Sequence, residues 1–193
     1  MALELELAEL GLAAIDALTV DAIGVFVGPE RPLQGFAGFA DWRLCGAISR
    51  AIRAGTFEGL DGEALLLPSG GRIAPQKVFC FGLTSVPLSP ERYLHASRLA
   101  CEAMARAGCT TFATAPPPLE GGDAGLAARL WLEASLVRPV RRQVLLCDAR
   151  TWQRELLAAR GEVSADVVVI APPSRVEMPS RARGLPHVGA VLR

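Results

Sequence analysis

Hydrophobic residues follow two different periods along this chain. Near the N-terminus, Leu3, Leu5 and Leu7 alternate with glutamates, which is the two-residue period of an edge or half-exposed strand. Residues 19–27 instead form a nearly continuous apolar run, as expected of a strand covered on both faces. Further strands are predicted where short apolar runs lie between turn signals: 63–68, 77–82, 109–114, 144–147 and 167–170.

Helices are predicted between these strands. Asp41 caps a helix that runs to about residue 54, and Gly46 inside it costs up to ~1 kcal/mol relative to alanine, which a close helix–sheet approach would explain. Other helices are predicted at 89–108, 123–137 and 151–160. The inner face of the 123–137 helix is predicted from residues at helical spacing: Leu126, Leu130, Ala134 and Val137.

The alternation of strands and helices predicts an α/β sandwich around a central sheet. The hairpin-like pair of strands within 63–82 makes that sheet mixed rather than purely parallel. We expect one domain over residues 1–170. Residues 171–193 are rich in proline and arginine and have little periodicity, which predicts an extended or disordered tail.

Composition and charge limit the classes of partner that the sequence predicts. The chain has 193 residues, enough for one domain with a single core, and its formal net charge is +0. Without a global basic field, DNA is not an expected partner. Lys77 is the only lysine, which indicates a codon-composition bias and a bacterial source. Glutamates interrupt the apolar N-terminus and no apolar run approaches the ~18 residues of a membrane span, so we expect a cytoplasmic protein.

The five cysteines give no metal or disulfide pattern. Their number is odd, no pair has metal-ligand spacing, and four of them lie in apolar runs. We therefore expect buried free thiols in a reducing cytosol. His95 lacks a cysteine or histidine partner at ligand spacing. The sequence predicts no metal site, no cofactor and no catalytic residue.

Residues 21–82 carry a resemblance to a known family. In order, the segment reads P-L-Q-G, then the aspartate at 41, then G-A-I-S, then F-E-G-L-D-G-E, and closes on a strand that ends in G-L. This order resembles the N-terminal domain of leucyl aminopeptidases, and the likeness extends over about residues 15–150. The resemblance implies a macro-domain-like, three-layer α/β/α sandwich with a central mixed sheet.

Two departures limit the function that the resemblance implies. The catalytic domain of leucyl aminopeptidases binds two metals and contains an N-T-D-A-E-G-R-L motif, whereas this chain has no asparagine at all. We therefore expect no peptidase activity. Macro domains that bind ADP-ribose have N-A-A-N and G-G-G-V segments, where this chain has V-F-V-G and G-F-A-G-F. Phe36 and Phe39 are expected to obstruct a backbone cradle for phosphate.

Three places are candidates for ligand binding, each beside a structural alternative. Asp21 precedes a buried strand and either contacts a ligand, as an acid does in macro domains, or is a turn residue. Gly82, Thr84 and Ser85 follow the carboxyl end of a strand, where open α/β sheets bind ligands; the alternative is a turn with a hydroxyl cap.

The third place is the start of the 123–137 helix. Gly121, Gly122 and Asp123 precede it, and the spare amide donors of a helix N-terminus attract anions. The alternative is that Asp123 satisfies those donors itself as the N-cap.

These observations lead to three functional hypotheses. The first is a stand-alone, non-catalytic relative of the leucyl aminopeptidase N-terminal domain with a binding or assembly role, through a protein partner or self-association. The second is a macro-domain-like binder or hydrolase of a phosphate-bearing, nucleotide- or ADP-ribose-like ligand. The third, by analogy only, is a DNA-linked regulatory module.

Overall fold

A computed structural model describes residues 2–162 and 166–170 of the chain. In this part, seven strands form one sheet in the order β3-β4-β2-β5-β6-β1-β7. All neighbouring strands are parallel except β3 and β4, which are antiparallel. The strands are β1 (Leu3–Ala8), β2 (Ala22–Val27), β3 (Ala64–Pro68), β4 (Lys77–Gly82), β5 (Thr111–Thr114), β6 (Arg142–Leu146) and β7 (Val167–Ile170).

Helices cover both faces of this sheet. They are α1 (Leu12–Asp16), α2 (Gly35–Arg43), α3 (Ala47–Arg53), α4 (Pro90–Arg106), α5 (Ala124–Val137) and α6 (Ala149–Arg160). One core cluster packs α4, α5 and α6 on the sheet through large side chains such as Tyr93 and Trp131. A second cluster packs α1, α2 and α3 on the opposite face around Ile48 and Phe57. The predicted α/β/α sandwich with a mixed sheet is confirmed.

The single helix predicted from Asp41 to residue 54 is wrong. Gly46 has φ +78°, a left-handed conformation that breaks the chain into α2 and α3. Asp41 lies inside α2, and its carboxylate accepts hydrogen bonds from the backbone N–H of Ile48 (2.8 Å) and the hydroxyl of Ser49 (2.5 Å). Asp41 therefore caps α3 across the break, and Gly46 is needed for its positive φ rather than for a close approach to the sheet.

The structure decides between the two predictions for β1 and corrects one residue of α5. β1 is a half-exposed strand rather than an edge strand: it lies between β6 and β7, and its leucines are buried while its glutamates are half-buried. On α5, Val137 is 53% exposed, so it is not part of the inner face. The predicted Ala134 is buried, and the predicted Leu126 and Leu130 pack partly buried against the core. Trp131 and small residues such as Ala127 complete the buried face, against which α4 and α6 pack.

The antiparallel pair β3–β4 depends on Gly82. A Cβ at this position would lie 2.3 Å from the carbonyl oxygen of Leu60, so the 59–60 backbone packs directly on Gly82. The predicted tail, residues 171–193, lies outside the described residues. None of the helices in the described part of the chain is both long enough and apolar enough to cross a bilayer.

Candidate functional site

Six parallel strands of the described sheet end at the same edge, and the loops after five of them (β1, β2, β4, β5 and β6) line two neighbouring clefts. Residues 115–118, which follow β5, form the wall between the clefts and line both of them. Because ligands of open α/β sheets bind at the carboxyl ends of strands, this edge is the candidate site.

The first cleft, here called the apolar cleft, has a volume of about 360 Å³. Its walls are mostly hydrophobic and include Leu10, Phe26, Leu33, Phe36, Leu83 and Val86. Glu30 is the one acidic side chain among its lining residues. The cleft therefore suits an apolar or aromatic group better than a strongly hydrated one.

The N-terminus of α2 opens into the apolar cleft. Gln34, Gly35 and Ala37 all line it, and Gln34 is the N-cap residue of the helix. No side chain in the described part of the chain caps α2, because the Gln34 amide instead donates to the carbonyl of Pro32 (2.9 Å). The first-turn N–H groups of α2 are thus the polar donors that the cleft presents.

The two phenylalanines of this segment behave differently. Phe36 is 5% exposed and forms part of the wall of the apolar cleft, where it narrows the space beside the helix N-terminus. Phe39 packs against the α1–α3 core cluster and does not line the cleft. Phe39 is therefore not placed to obstruct a phosphate in this cleft, and obstruction by Phe36 stays a prediction.

The second cleft, here called the acidic cleft, has a volume of about 440 Å³ and is lined by Glu9, Asp123 and Asp148 as well as by Trp152. Asp123 accepts a hydrogen bond from the N–H of Leu126 (3.0 Å) and caps α5. Asp148 caps α6, and the hydroxyl and N–H of Thr151 hold the pKa of Asp148 below its ordinary value.

Glu9 is the second acidic side chain at the N-terminus of α6. Its carboxylate accepts from the N–H of Ala149 at 3.2 Å, so two acidic side chains already hold the α6 N-terminus. The helix N-termini at the acidic cleft are therefore neutralised by the protein's own carboxylates. An anionic group would meet repulsion here rather than free amide donors.

Of the predicted residues Gly121, Gly122 and Asp123, the last two line the acidic cleft, and Gly121 directly precedes them. Gly121 and Gly122 have φ of +75° and +66° in the turn before α5. Asp123 occupies the amide donors in the way the structural alternative described.

Gly82, Thr84 and Ser85 lie at the carboxyl end of β4, in contact with a salt bridge. The N–H of Thr84 donates to Asp61 (2.9 Å), and the Arg92 guanidinium donates to the hydroxyls of Ser85 (2.6 Å) and Thr84 (3.1 Å). Arg92 also binds both carboxylate oxygens of Asp61, at 3.0 and 2.7 Å. The Thr84 N–H and both hydroxyls thus already have partners within the protein.

The Asp61 carboxylate stays ionised in this cluster. Partial burial raises the pKa of Asp61, but the Thr84 N–H and the Arg92 guanidinium outweigh that effect and hold the pKa below its ordinary value. The Asp61–Arg92 pair therefore links the loop before β3 to the start of α4, and the Thr84 N–H joins the loop after β4 to the same carboxylate, beside a groove of about 470 Å³ along α4.

Asp21 lies at the opposite, amino end of the strands and is not brought together with the other candidates. Its carboxylate accepts hydrogen bonds from the N–H groups of Thr110 (2.8 Å) and Thr111 (3.0 Å). This contact joins the start of β2 to the start of β5, which is the structural alternative for this residue.

The cysteines of the clefts and the core are held as thiols. Burial raises the pKa of Cys80, Cys101 and Cys147 to about 12. Cys147 lines the acidic cleft, where Glu9 and Asp148 raise its pKa further. Within residues 2–162 and 166–170, no group of three or more His, Cys, Asp and Glu side chains is placed to hold a metal ion.

Sequence reasoning missed several residues of this edge, above all Glu9, Leu10, Gln34 and Asp148. Each of them follows the carboxyl end of a parallel strand, directly or after a short loop. Such a position indicates a ligand-binding edge only when the strands are known to be parallel and adjacent in the sheet. Glu9 and Asp148 meet because β1 and β6 pair in parallel, which periodicity along the chain does not reveal.

The fold and the edge clefts define an α/β sandwich of the macro-domain type. Residues 22–136 match the sequence model of the cytosol aminopeptidase family, N-terminal domain. The chain belongs to this family. The predicted resemblance is thereby confirmed.

Among solved structures, a point mutant of the macrodomain from Oceanobacillus iheyensis is similar to this chain with a TM-score of 0.60 and 14% identity, over 82% of this chain and 93% of that one. A second point mutant of that macrodomain, whose structure is described as containing ADPR, is similar with a TM-score of 0.58 at the same identity and coverage. Among curated protein sequences, none matches this chain. At 14% identity, the two structures establish the shared fold.

Proposed function

We propose that this chain is a non-catalytic binding or assembly domain. The proposal rests on one observation. The polar side chains at the carboxyl edge of the sheet already form hydrogen bonds with other groups of the protein. Asp123 caps α5, Asp148 and Glu9 occupy the start of α6, and Thr84 and Ser85 accept from Arg92. A carboxylate with a lowered pKa, such as Asp148, and a thiol with a raised pKa, such as Cys147, are poorly suited to proton transfer or nucleophilic attack near neutral pH.

Family membership supports the same proposal. The match covers the N-terminal domain, and the resemblance noted in the sequence assigns the catalytic metals to a different domain. A fold that presents an apolar cleft, an exposed edge strand and capped helices has surfaces for a partner rather than a reacting pair of groups.

The experiment is a hydrolysis assay on the purified full chain. We expect no release of leucine from a leucyl amide in the presence of Zn²⁺, Mn²⁺ or Co²⁺, above the rate of buffer and metal alone. Metal-dependent turnover that copurifies with the chain through two orthogonal columns would overturn the proposal.

A second candidate function is the binding of an ADP-ribose-like ligand. The observation that favours it is the uncapped N-terminus of α2, which opens into an apolar cleft at the edge where this fold binds ligands. An aromatic ring against Phe26 or Phe36 and a phosphate at Gly35 would fit these groups. The neighbouring acidic cleft opposes it, because a second phosphate directed there would meet Asp123 and Asp148.

Thermal shift and calorimetry with ADP-ribose, adenosine and inorganic phosphate test this second function. A ligand present at about 100 times its Kd adds about 2.7 kcal/mol to the free energy of unfolding. A saturable shift with ADP-ribose and none with phosphate alone would support it. The absence of any shift at millimolar ligand would exclude it.

A further inference from the structure

Strand β3 lies at one edge of the sheet that the described residues form. Among the described residues, it pairs only with β4, on one side. The carbonyl of Glu63 accepts from Gly82 (2.9 Å) and the N–H of Ser69 donates to Gln76 (3.0 Å), so the odd-numbered residues direct their backbone groups toward β4. In an antiparallel pair these directions alternate, so Ala64, Leu66 and Pro68 direct theirs outward.

Within the described residues, this edge also lacks the usual protection against pairing. The strand reads A-L-L-L-P and contains no charged side chain, and Leu66 is 52% exposed. Edge strands of soluble proteins are normally blunted by charges, bulges or proline, and here only Pro68 at the end of the strand serves that purpose. An uncharged edge strand with an exposed leucine at its centre is a surface for strand addition.

We propose that β3 pairs with β3 of a second copy of this chain, antiparallel, about a two-fold axis at Leu66. This inference names the partner for the assembly role proposed above and rests on it. The axis places Leu66 opposite Leu66 of the second copy and Ala64 opposite Pro68. The two Leu66 residues exchange both N–H···O=C bonds, and each Ala64 N–H donates to the facing Pro68 carbonyl, for about four bonds in total.

The strand itself selects this register. A shift by two residues that places Leu66 opposite Pro68 leaves the Leu66 carbonyl without a donor, since proline has no N–H. A shift in the other direction places Glu63 opposite Leu67 and exchanges an apolar pair for a carboxylate against a leucine. A shift by one residue brings the backbone groups that β4 already uses to the interface.

A second copy fits the edge better than the tail of the same chain does. Residues after Ile170 start from β7, at the opposite edge of the sheet, roughly 30 Å from β3 at the usual strand spacing. Four prolines in that segment, at positions 172, 173, 179 and 186, lack the N–H groups that a continuous ladder needs. The near-symmetric A-L-L-L-P strand is by contrast complementary to itself.

The predicted dimer is weak. A ladder of five residues on each chain buries much less than the roughly 800 Å² per partner of a stable interface, so we expect a dissociation constant in the micromolar range or above. Dimer formation should therefore depend on concentration between about 1 and about 500 μM.

The test is sedimentation velocity on the full chain over that range, with two charge variants at the axis. Leu66→Lys and Leu66→Glu each place like charges opposite one another, and each alone should raise the dissociation constant at least ~10-fold. An equimolar mixture of the two should recover the dimer, because opposite charges then face each other. Leu157→Lys is the matched control: Leu157 is 48% exposed on α6, far from β3, and its variant should associate like the parent chain.

Several results would overturn the pairing. These are a parent chain that stays monomeric to about 500 μM, a dimer that survives Leu66→Lys, or a mixture of the two charge variants that stays monomeric. Circular dichroism melts of each variant report whether the monomer is folded, and recovery by mixing cannot come from unfolded chains. Loss of the pairing leaves the proposed non-catalytic function standing, since the hydrolysis assay tests that function separately.

Discussion

The carboxylate of Asp21 accepts hydrogen bonds from both the N–H and the hydroxyl of Thr110, at 2.8 and 3.0 Å, although the two residues lie 89 positions apart in the chain. The contact joins the residues that immediately precede two adjacent parallel strands, β2 and β5, at the amino edge of the sheet. It thereby makes Asp21 part of the connection between β2 and β5, away from the clefts at the carboxyl edge.

Asp21→Asn should destabilise the fold in a pH-dependent way. Partial burial raises the pKa of Asp21, but the hydrogen bonds from Thr110 and Thr111 outweigh it, so the folded-state pKa lies below the ordinary value. The stabilisation is therefore fully present above the unfolded-state pKa, about 3.9, and is lost as the pH falls through that value and then through the lower folded-state pKa. At neutral pH we expect a loss of about 1 kcal/mol, reduced by solvent screening at this exposed residue.

Urea unfolding at neutral pH and at about pH 3 measures this effect. The difference between the parent chain and Asp21→Asn should shrink at the lower pH. Glu58→Gln removes an exposed carboxylate and serves as the control, with a change close to zero at both pH values. An equal loss for Asp21→Asn at both pH values would show that the charge of Asp21 contributes nothing.

Gly82→Ala should destabilise the chain by about 2 kcal/mol or more, because its Cβ would overlap the 59–60 backbone rather than a flexible side chain. Gly11→Ala is the matched control: a Cβ there meets nothing within 4 Å, and its φ of −179° is open to any residue. Because Gly11 is the N-cap of α1, where alanine is less favourable than glycine, we expect its free energy of unfolding to fall by at most about 1 kcal/mol, less than for Gly82→Ala. Thermal and urea denaturation measure both, and a stable Gly82→Ala would remove the structural explanation for this glycine.

Gln34 allows the second candidate function to be separated from mere helix stabilisation. Gln34→Asp and Gln34→Asn both place a good N-cap on α2, and each should stabilise the fold by about 0.5–1 kcal/mol. Only the aspartate brings a negative charge to the apolar cleft. If ADP-ribose binds there, Gln34→Asp should weaken binding at least ~10-fold, by calorimetry, while Gln34→Asn weakens it far less. Equal affinity of the two variants would place any bound phosphate elsewhere.

In the native chain, Cys45 should be alkylated much faster than the other four cysteines. Cys45 is exposed, whereas Cys80, Cys101 and Cys109 are buried. Cys147 is half-buried, but its pKa of about 12 leaves roughly one thiolate in 10⁴ at pH 8. Iodoacetamide and peptide mass spectrometry should therefore find fast labelling only at Cys45 in the native chain and at all five cysteines in urea. Fast native labelling of Cys147 would contradict the thiol state assigned to the acidic cleft.

Local signals predicted several elements because their causes are local. Ser89 caps α4 and Asp123 caps α5 by accepting hydrogen bonds from N–H groups three residues further along the chain. A cap of this kind is therefore predictable from residues that are close together in the sequence. The helix break at Gly46 was missed for the opposite reason. Asp41 caps α3 from inside another helix, seven residues before the N–H group that it accepts from. A cap at that distance does not follow the usual spacing of N-cap residues, so the sequence pattern does not indicate it.

By itself, the sequence determined the α/β class, the mixed sheet, the alternating burial of β1 and the family resemblance carried by residues 21–82. Each of these follows from side-chain period, turn residues or a run of neighbouring motifs. Only the tertiary structure decided that Asp21 and Gly82 lie at opposite ends of the sheet, that Glu9 and Asp148 share one helix N-terminus, and that β3 is left at an edge. These relationships depend on which strands, distant in the sequence, lie next to each other in the sheet. The strand order is determined by helices packing on both apolar faces of the sheet together, and no short segment of the sequence specifies it.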